Sequence, residues 1–238
     1  MLALRSIDVF RGANHVLRNL SLDVNEAEVV CLVGRNGAGK TTALETIMGF
    51  LEPRSGQIEF GSNRLDGTPT HRRAERGIGY SPDDCGIFSK LSVGENLKMS
   101  MWLRDKVAKR KGKDRLDIQH AALEIFPEIA DLLQRPGLHL SGGQRKMVAI
   151  ARALMLSPKL LLLDEAFEGL SPMVVSRFTD AVVKIKALGI SILMAESQFG
   201  PATLIADRLF ILDRGEKIFD GDPAAAAADD GVLRALRG

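Results

Sequence analysis

The run Val29-Val30-Cys31-Leu32-Val33-Gly34-Arg35-Asn36-Gly37-Ala38-Gly39-Lys40-Thr41 joins an apolar strand to a glycine-rich turn and then to a helix-like segment. Gly34 to Thr41 fit the pattern G-x-x-x-x-G-K-[ST]. A triphosphate is densely negative, so a loop that cradles it must bring several backbone N–H groups within hydrogen-bonding distance. Glycines at 34, 37 and 39 remove the Cβ clashes that would hold the backbone away. The helix starting near Lys40 aims the positive end of its dipole at the same point. Lys40 is placed to neutralise β- and γ-oxygens and the Thr41 hydroxyl to ligate Mg²⁺, with Arg35, Asn36, Ala38 and Thr42 completing the cradle. The stretch predicts a nucleotide site.

Outward from this loop, Leu2–Phe10 and Leu20–Val24 read as strands before Val29–Val33, and Lys40–Phe50 reads as a helix. Pro53, Ser55 and Gly56 break that helix, and Gln57–Phe60 and Gly77–Ser81 are further short strands. From about Leu91 to Arg135 the pattern turns mostly helical. Later come a helix over Ser141–Leu156, an aliphatic strand at Lys159–Leu163, a helix at Pro172–Leu188 and a strand at Ile190–Ala195. Arg208–Asp213 and Lys217–Asp220 resemble a closing strand pair. Strands alternating with helices imply an α/β fold, a mainly parallel sheet with helices on both sides.

Two further stretches carry chemistry. Leu160-Leu161-Leu162-Leu163-Asp164-Glu165 delivers two carboxylates at the C-terminal end of a strand, the edge where ligands sit in parallel α/β sheets. Asp164 is suited to holding Mg²⁺ through water, and Glu165 to orienting the attacking water or accepting its proton. Leu140-Ser141-Gly142-Gly143-Gln144 opens the helix that ends near Leu156; Ser141 is a natural N-cap, and the glycines expose the amides of the first turn. This is a second anion-binding helix end, far along the chain from the first.

Together these motifs resemble the ABC ATPase family along the whole chain. The resemblance implies a P-loop NTPase, RecA-like core with an antiparallel β-subdomain. Residues 1–84 and 158–238 would form these parts, and residues 85–157 an inserted α-helical subdomain. It implies ATP and Mg²⁺ as cofactors and head-to-tail dimerisation with a second ABC ATPase subunit. Each ATP would then lie between one P-loop and Ser141, Gly142, Gly143 and Gln144 of the other subunit. Gly169-Leu170-Ser171-Pro172 falls where the family's D-loop crosses that seam. Phe10 falls near the aromatic that stacks on adenine, though a phenylalanine there also suits a core. Gly86-Ile87-Phe88, the block Leu91-Ser92-Val93-Gly94-Glu95-Asn96-Leu97 and Glu168-Gly169-Leu170 look most like subunits serving branched-chain amino acid and urea importers.

Three positions depart from the family pattern. Asp83 stands where a glutamine is expected to touch Mg²⁺, Ser197 where a histidine or glutamine meets the γ-phosphate, and Ala166 where a proline follows the catalytic carboxylate. Losing one transition-state donor costs on the order of 10²–10³ in rate. The expectation is a P-loop site that binds ATP and turns it over slowly. The intact Ser141-Gly142-Gly143 could still complete a competent site on a different partner. Normal turnover, with both replacements tolerated, is the alternative.

Bulk properties narrow the class. The chain has 238 residues, 45% hydrophobic and 26% charged, with net charge +2, which argues against broad attraction to nucleic acid or anionic membrane. Two cysteines, Cys31 and Cys85, are too few for a disulfide framework and lack metal-ligand spacing. No signal peptide is visible, and no apolar stretch approaches the roughly 20 residues needed to span a bilayer. The expected location is peripheral, on the cytoplasmic face of the membrane, with transmembrane permease subunits supplying the span. A basic stretch from Arg104 to Arg115 reads as a solvated helix end and loop, or as a contact for lipid headgroups or a partner. Two other functions remain to be weighed: a non-transport ABC protein acting on DNA or ribosomes, and a nucleotide-binding regulatory cassette with little turnover.

Overall fold

A computed structural model describes residues 1–108 and 117–237. Strands β1 (Leu2–Arg11), β2 (Asn14–Val24) and β3 (Val29–Val33) lead through the glycine loop into α1 (Lys40–Met48). There follow β4 (Ser55–Phe60), β5 (Asn63–Arg64), α2 (Thr70–Glu75) and β6 (Ile78–Ser81). A helical stretch comes next: α3 (Val93–Ala108), α4 (Asp117–Ile125), 3₁₀ turns at Pro127–Leu132 and Gly137–His139, and α5 (Gly142–Leu154). The chain returns through β7 (Leu160–Asp164), α6 (Pro172–Ala187), β8 (Ser191–Glu196), α7 (Phe199–Ile205), β9 (Arg208–Asp213) and β10 (Glu216–Gly221). It closes with α8 (Pro223–Ala228) and α9 (Asp230–Arg237).

Two sheets organise these elements. One is antiparallel, in the order β2-β1-β4-β5; the other has the order β10-β9-β3-β8-β7-β6 and is parallel except where β10 meets β9. The larger sheet is buried on both faces except at its β10 edge, and the two-residue alternation of its strands sorts side chains into separate cores. Val29, Cys31 and Val33 of β3, with Leu161 and Leu163 of β7, face α5, α6 and the segment around Phe126 and Ile129. Val30 and Leu32, with Leu160 and Leu162, face α1 and the apolar side of the antiparallel sheet. Continuous aliphatic runs in β3 and β7 are therefore required, because each residue meets one core or the other.

The antiparallel sheet departs from the sequence expectation. β2 begins at Asn14 rather than Leu20. Asn19 sits at φ +47° and its register with β1 shifts there, so Leu17 and Leu20 both turn inward although three residues apart. Ser6 at φ +47° does the same for Leu4 and Ile7 of β1. Such bulges erase the alternation by which a strand is recognised. Among the described residues, the stretch from Leu91 to Arg135 is helical in α3 and α4, with 3₁₀ turns from Pro127. Lys109, Arg110, Lys111, Lys113 and Arg115 of the basic stretch lie outside the described residues.

Arg73 on α2 is fully buried and ties the back of α1 in place. Its guanidinium donates to the carbonyls of Thr46 (2.8 Å), Ile47 (3.0 Å) and Thr68 (2.7 Å), and pairs with Glu52 at 3.2 Å. The last carbonyls of a helix have no partner within it, so a buried cation is an apt cap. Gly49, at φ +80°, leaves room for it: a Cβ there would lie 2.7 Å from Arg73 Nε. Arg73→Ala is expected to lower unfolding free energy by roughly 2–4 kcal/mol, since it strands those carbonyls and opens a cavity. Denaturant titration checks this, and a loss below about 0.5 kcal/mol would remove Arg73 as the anchor of α1.

Candidate nucleotide site

The glycine loop sits at the C-terminal end of β3, whose neighbours in the sheet are β8 and β9. Gly34 N–H donates to the Glu196 carbonyl at 3.2 Å, tying the loop to β8. Gly37 at φ +83° and Gly39 at φ +110° adopt left-handed backbone, which a side chain would strain. Gly34 is needed for another reason, since a Cβ there would lie 2.3 Å from the Leu212 carbonyl oxygen. α1 starts at Lys40 with Gly39 as its cap, and no side chain takes up its first amides. Those donors are free for a phosphate.

The charged groups converge at this point. Lys40 is only 4% exposed; its ammonium donates to the carbonyls of Gly34 (2.8 Å) and Arg35 (3.2 Å) and lies 3.0 Å from Glu165 Oε1. Thr41 Oγ1 donates to Asp164 Oδ1 at 3.1 Å, and Tyr80 on β6 directs its hydroxyl to Asp164 Oδ2 at 3.4 Å. Burial pushes the Asp164 carboxyl up to about 6; the Thr41 hydrogen bond opposes the shift, and the neighbouring Glu165 and Asp83 add to it. Burial, then Asp164, raise the Tyr80 hydroxyl well above its ordinary value, so it stays a donor. Glu165 leaves the strand at φ +48°, and its Oε2 accepts the Ser197 N–H at 3.1 Å. Such backbone in a non-glycine residue is a strain that surrounding structure must hold.

A cleft of about 440 Å³ gathers Asn36, Gly37, Gly39, Lys40, Thr41 and Thr42 with Asp83, Glu165 and Glu168. The phosphate loop, Asp83 and the candidate base therefore share one mouth. Arg35 is exposed beside it and Ala38 is buried behind it. Ser197 contributes its main-chain N–H to Glu165 and its side chain does not line the cleft. Phe10 also stays outside the cleft lining: its ring stacks on His15 at 4.3 Å and 6°, with the Arg54 guanidinium 5.0 Å from its centroid. Arg11, its neighbour, does line the cleft; its guanidinium donates to Thr42 Oγ1 at 3.1 Å and to the Glu45 carboxylate. Arg11 and Tyr80 escaped the sequence reading because nothing local marks them; strand pairing alone brings them here.

Ser141, Gly142, Gly143 and Gln144 are not part of this cleft. Ser141 caps α5 in a capping box, its Oγ accepting the Gln144 N–H (3.3 Å) while its own N–H donates to Gln144 Oε1 (3.0 Å). Ser141 and Gly142 are exposed, and a Cβ at Gly142 would meet nothing within 4 Å. Gly143 instead backs onto Val174 and Leu170, beside the Gly169–Pro172 turn. The two glycine-lined helix ends thus lie apart in one chain.

Glu196, at the end of β8, is fully buried; Oε1 accepts the Phe167 N–H at 3.2 Å and Oε2 has no partner among the described residues. Burial pushes its carboxyl up to about 8, with the Glu165 charge adding to the shift and the Phe167 N–H and Lys146 opposing it. The folded chain therefore keeps a proton on Glu196 at neutral pH that the unfolded chain releases. When the folded state binds the extra proton, stability falls as pH rises, here from the ordinary carboxylate value up to about 8. Glu196→Gln needs no proton and lacks this slope. Between about pH 5 and pH 8.5 the parent is expected to lose roughly 1–3 kcal/mol more unfolding free energy than the variant. Parallel stability curves for the two proteins would show that Glu196 is not held neutral.

Comparison with known proteins agrees with this geometry. Residues 17–168 match the family described as ABC transporter. Over 238 residues the chain is 32% identical to the high-affinity branched-chain amino acid transport ATP-binding protein BraG of Pseudomonas aeruginosa, covering 100% of each. It is 35% identical over 225 residues to the lipopolysaccharide export system ATP-binding protein LptB of Escherichia coli, covering 94% of this chain and 91% of that one. Among solved structures, the ADP conformation of an ATP-binding cassette of an ABC transporter superposes with a TM-score of 0.85 at 26% identity, covering 100% of this chain and 98% of the other. With the phosphate loop, the paired carboxylates and the capped glycine helix end in place, the chain belongs to the ABC transporter family and is an ATP-binding ABC ATPase.

Proposed function

We propose that this chain powers an importer of amino acids or a similar small polar solute through ATP-driven, head-to-tail closure of a cassette dimer. The carrying observation is the separation of its two anion-binding ends. The cleft around Lys40 holds the phosphate loop and Glu165, while Ser141 and Gly142 open onto free surface elsewhere. Each end is half of a site, and a second cassette supplies the other half. ATP then favours the closed dimer by its differential affinity for the two states. The reading assigns residues 1–84 and 158–238 to the core and β-subdomain and residues 85–157 to the helical subdomain. The likeness to BraG, by name an amino acid transport protein, favours an amino-acid solute; LptB, which belongs by name to an export system, is comparably similar.

Within the cleft, Lys40 and the first amides of α1 bind the phosphates, and Glu165 orients and deprotonates the attacking water. Thr41 and Asp164 offer adjacent hard oxygens that fit Mg²⁺, with Asp83 at the same mouth. Among the described residues no three His, Cys, Asp or Glu side chains gather as a metal cage, which suits an ion whose remaining ligands are phosphate and water. Held there, Mg²⁺ would supply charge neutralisation to the phosphates. Arg11, beside Thr42, adds a cation at the entrance. Phe10 reaches adenine by its edge or by displacing His15 or Arg54 from its faces.

The permease surface is a groove running outward from the metal-binding end. Thr41, Asp164, Tyr80, Asp83 and Arg152 line its inner part, and Phe88, Met99, Trp102 and Leu103 its outer part. Trp102 is 68% exposed and Phe88 50%, an apolar patch suited to a cytoplasmic helix of a membrane subunit. Among the described residues no helix is long and apolar enough to cross a membrane. This supports peripheral attachment at the cytoplasmic face through such a partner. The balanced charge argues against nucleic acid as a partner.

Glu165→Gln is expected to retain ATP binding and trap the dimer while phosphate release falls at least ~100-fold. Retained turnover would move the base elsewhere. Ser197→His, which supplies a side-chain donor at the γ-phosphate, should raise turnover by about tenfold or more. Equal rates for parent and Ser197→His would show that the cassette is not slowed by Ser197. Phosphate release that stays at background even with permease and partner cassette present would favour the regulatory reading.

A further inference from the structure

We propose that Lys146 is a positioning residue for ATP hydrolysis, holding the main chain at Glu165 and balancing the charge of Asp83 from the helix whose N-terminal turn, in the proposed dimer, meets the partner's nucleotide. The inference rests on the assignment of Glu165 as the base. Lys146 lies on α5, one turn beyond the Ser141 cap, with its side chain only 13% exposed. Its ammonium donates to the carbonyl oxygen of Glu165 and lies 3.9 Å from Asp83 Oδ1. A third acid, the buried Glu196, is also within its electrostatic reach. One ammonium thus meets both the main chain of the base and the Asp83 carboxylate.

Each contact answers a need already visible in the site. Glu165 occupies a left-handed backbone conformation that its side chain disfavours, so its carbonyl must be held from outside. The Glu165 N–H is fixed by the Ala195 carbonyl at 2.9 Å, its carboxylate by Lys40 and Ser197, and its carbonyl accepts the Glu168 N–H at 3.2 Å; Lys146 adds a charged side-chain donor to that same carbonyl, from a different element of the fold. Asp83 brings a negative charge to a cleft built for phosphate, and repulsion there raises the cost of the triphosphate and of the transition state. An ammonium nearby offsets that repulsion while leaving a carboxylate oxygen available. Because Lys146 shares a helix with Ser141, displacement of that helix end by a partner's nucleotide is transmitted to this chain's own base.

Single-turnover phosphate release by the full-length chain, with Mg²⁺-ATP and measured nucleotide affinity, tests this. Lys146→Met is expected to lower the hydrolysis rate about tenfold, the usual worth of one charge-assisted hydrogen bond, with ATP affinity within about twofold of the parent. Adding Asp83→Asn to Lys146→Met should recover at least about threefold of that loss, since the uncompensated charge is removed. Lys146→Arg, which keeps charge and donors, should stay within about threefold of the parent. If Lys146→Met melts early, Lys146→Gln replaces it, keeping a donor for the carbonyl while losing the charge. The proposal is overturned if Lys146→Met, or Lys146→Gln in its place, hydrolyses at the parental rate. It is equally overturned if the Asp83 and Lys146 effects simply multiply, or if Lys146→Arg is as slow as Lys146→Met. Failure of the base assignment would appear separately, as undiminished turnover in Glu165→Gln.

Discussion

An ammonium and two carboxylates withdrawn from water at the end of one sheet set the terms for everything around them. Lys40, Asp164 and Glu165 are each less than a tenth exposed. A buried charge is costly unless it is paired and hydrogen-bonded; Lys40 and Glu165 pair with each other, while Asp164 is held by two hydroxyls and its carboxyl is pushed up to about 6. Lys40 meets Glu165 and two loop carbonyls; Asp164 meets Thr41 and Tyr80. These bonds join the loop after β3 to the end of β7, strands separated in the sheet by β8. The arrangement works because parallel strands bring their C-terminal ends to one edge, and only a sheet covered on both faces keeps that edge dry enough for strong electrostatics.

The consequence is a site whose charges are linked and rest on more than one element. Lys40 faces Glu165 from the loop, Lys146 reaches its carbonyl from α5, and the Ser197 N–H reaches its carboxylate from the end of β8. Motion of α5 or of the turn after β8 therefore changes the geometry of the base. Asp83 connects the same network to the groove lined by Phe88 and Trp102. On the proposed reading, the nucleotide cleft and the surface offered to a membrane partner adjoin each other through Gly86 and Arg152.

The core strands and the phosphate loop were legible because their patterns are local. β3 and β7 are unbroken aliphatic runs, and Gly37 and Gly39 declare their backbone angles by lacking a side chain. The start of β2 was not legible, since the bulge at Asn19 shifts the inward positions by one residue. Gly34 carries a second constraint that local spacing does not reveal: a Cβ there would meet the Leu212 carbonyl, and β9 lies far away in the chain. Phe10 illustrates the same limit, for its position suggested stacking on a base while its ring faces are taken by His15 and Arg54.

What the sequence determined by itself was the class of fold and the motifs that carry the proposed reacting groups. Spacing along one segment is enough to specify a phosphate loop, a strand ending in two acids and a capped glycine helix. The tertiary structure alone decided which of these meet. It placed Asp83 with Lys146, Arg11 with Thr42, and Tyr80 with Asp164, and it kept Ser141 away from Lys40. The reason is physical: backbone propensity acts between near neighbours, whereas the partners of a buried charge are chosen by strand order and helix packing across the whole chain.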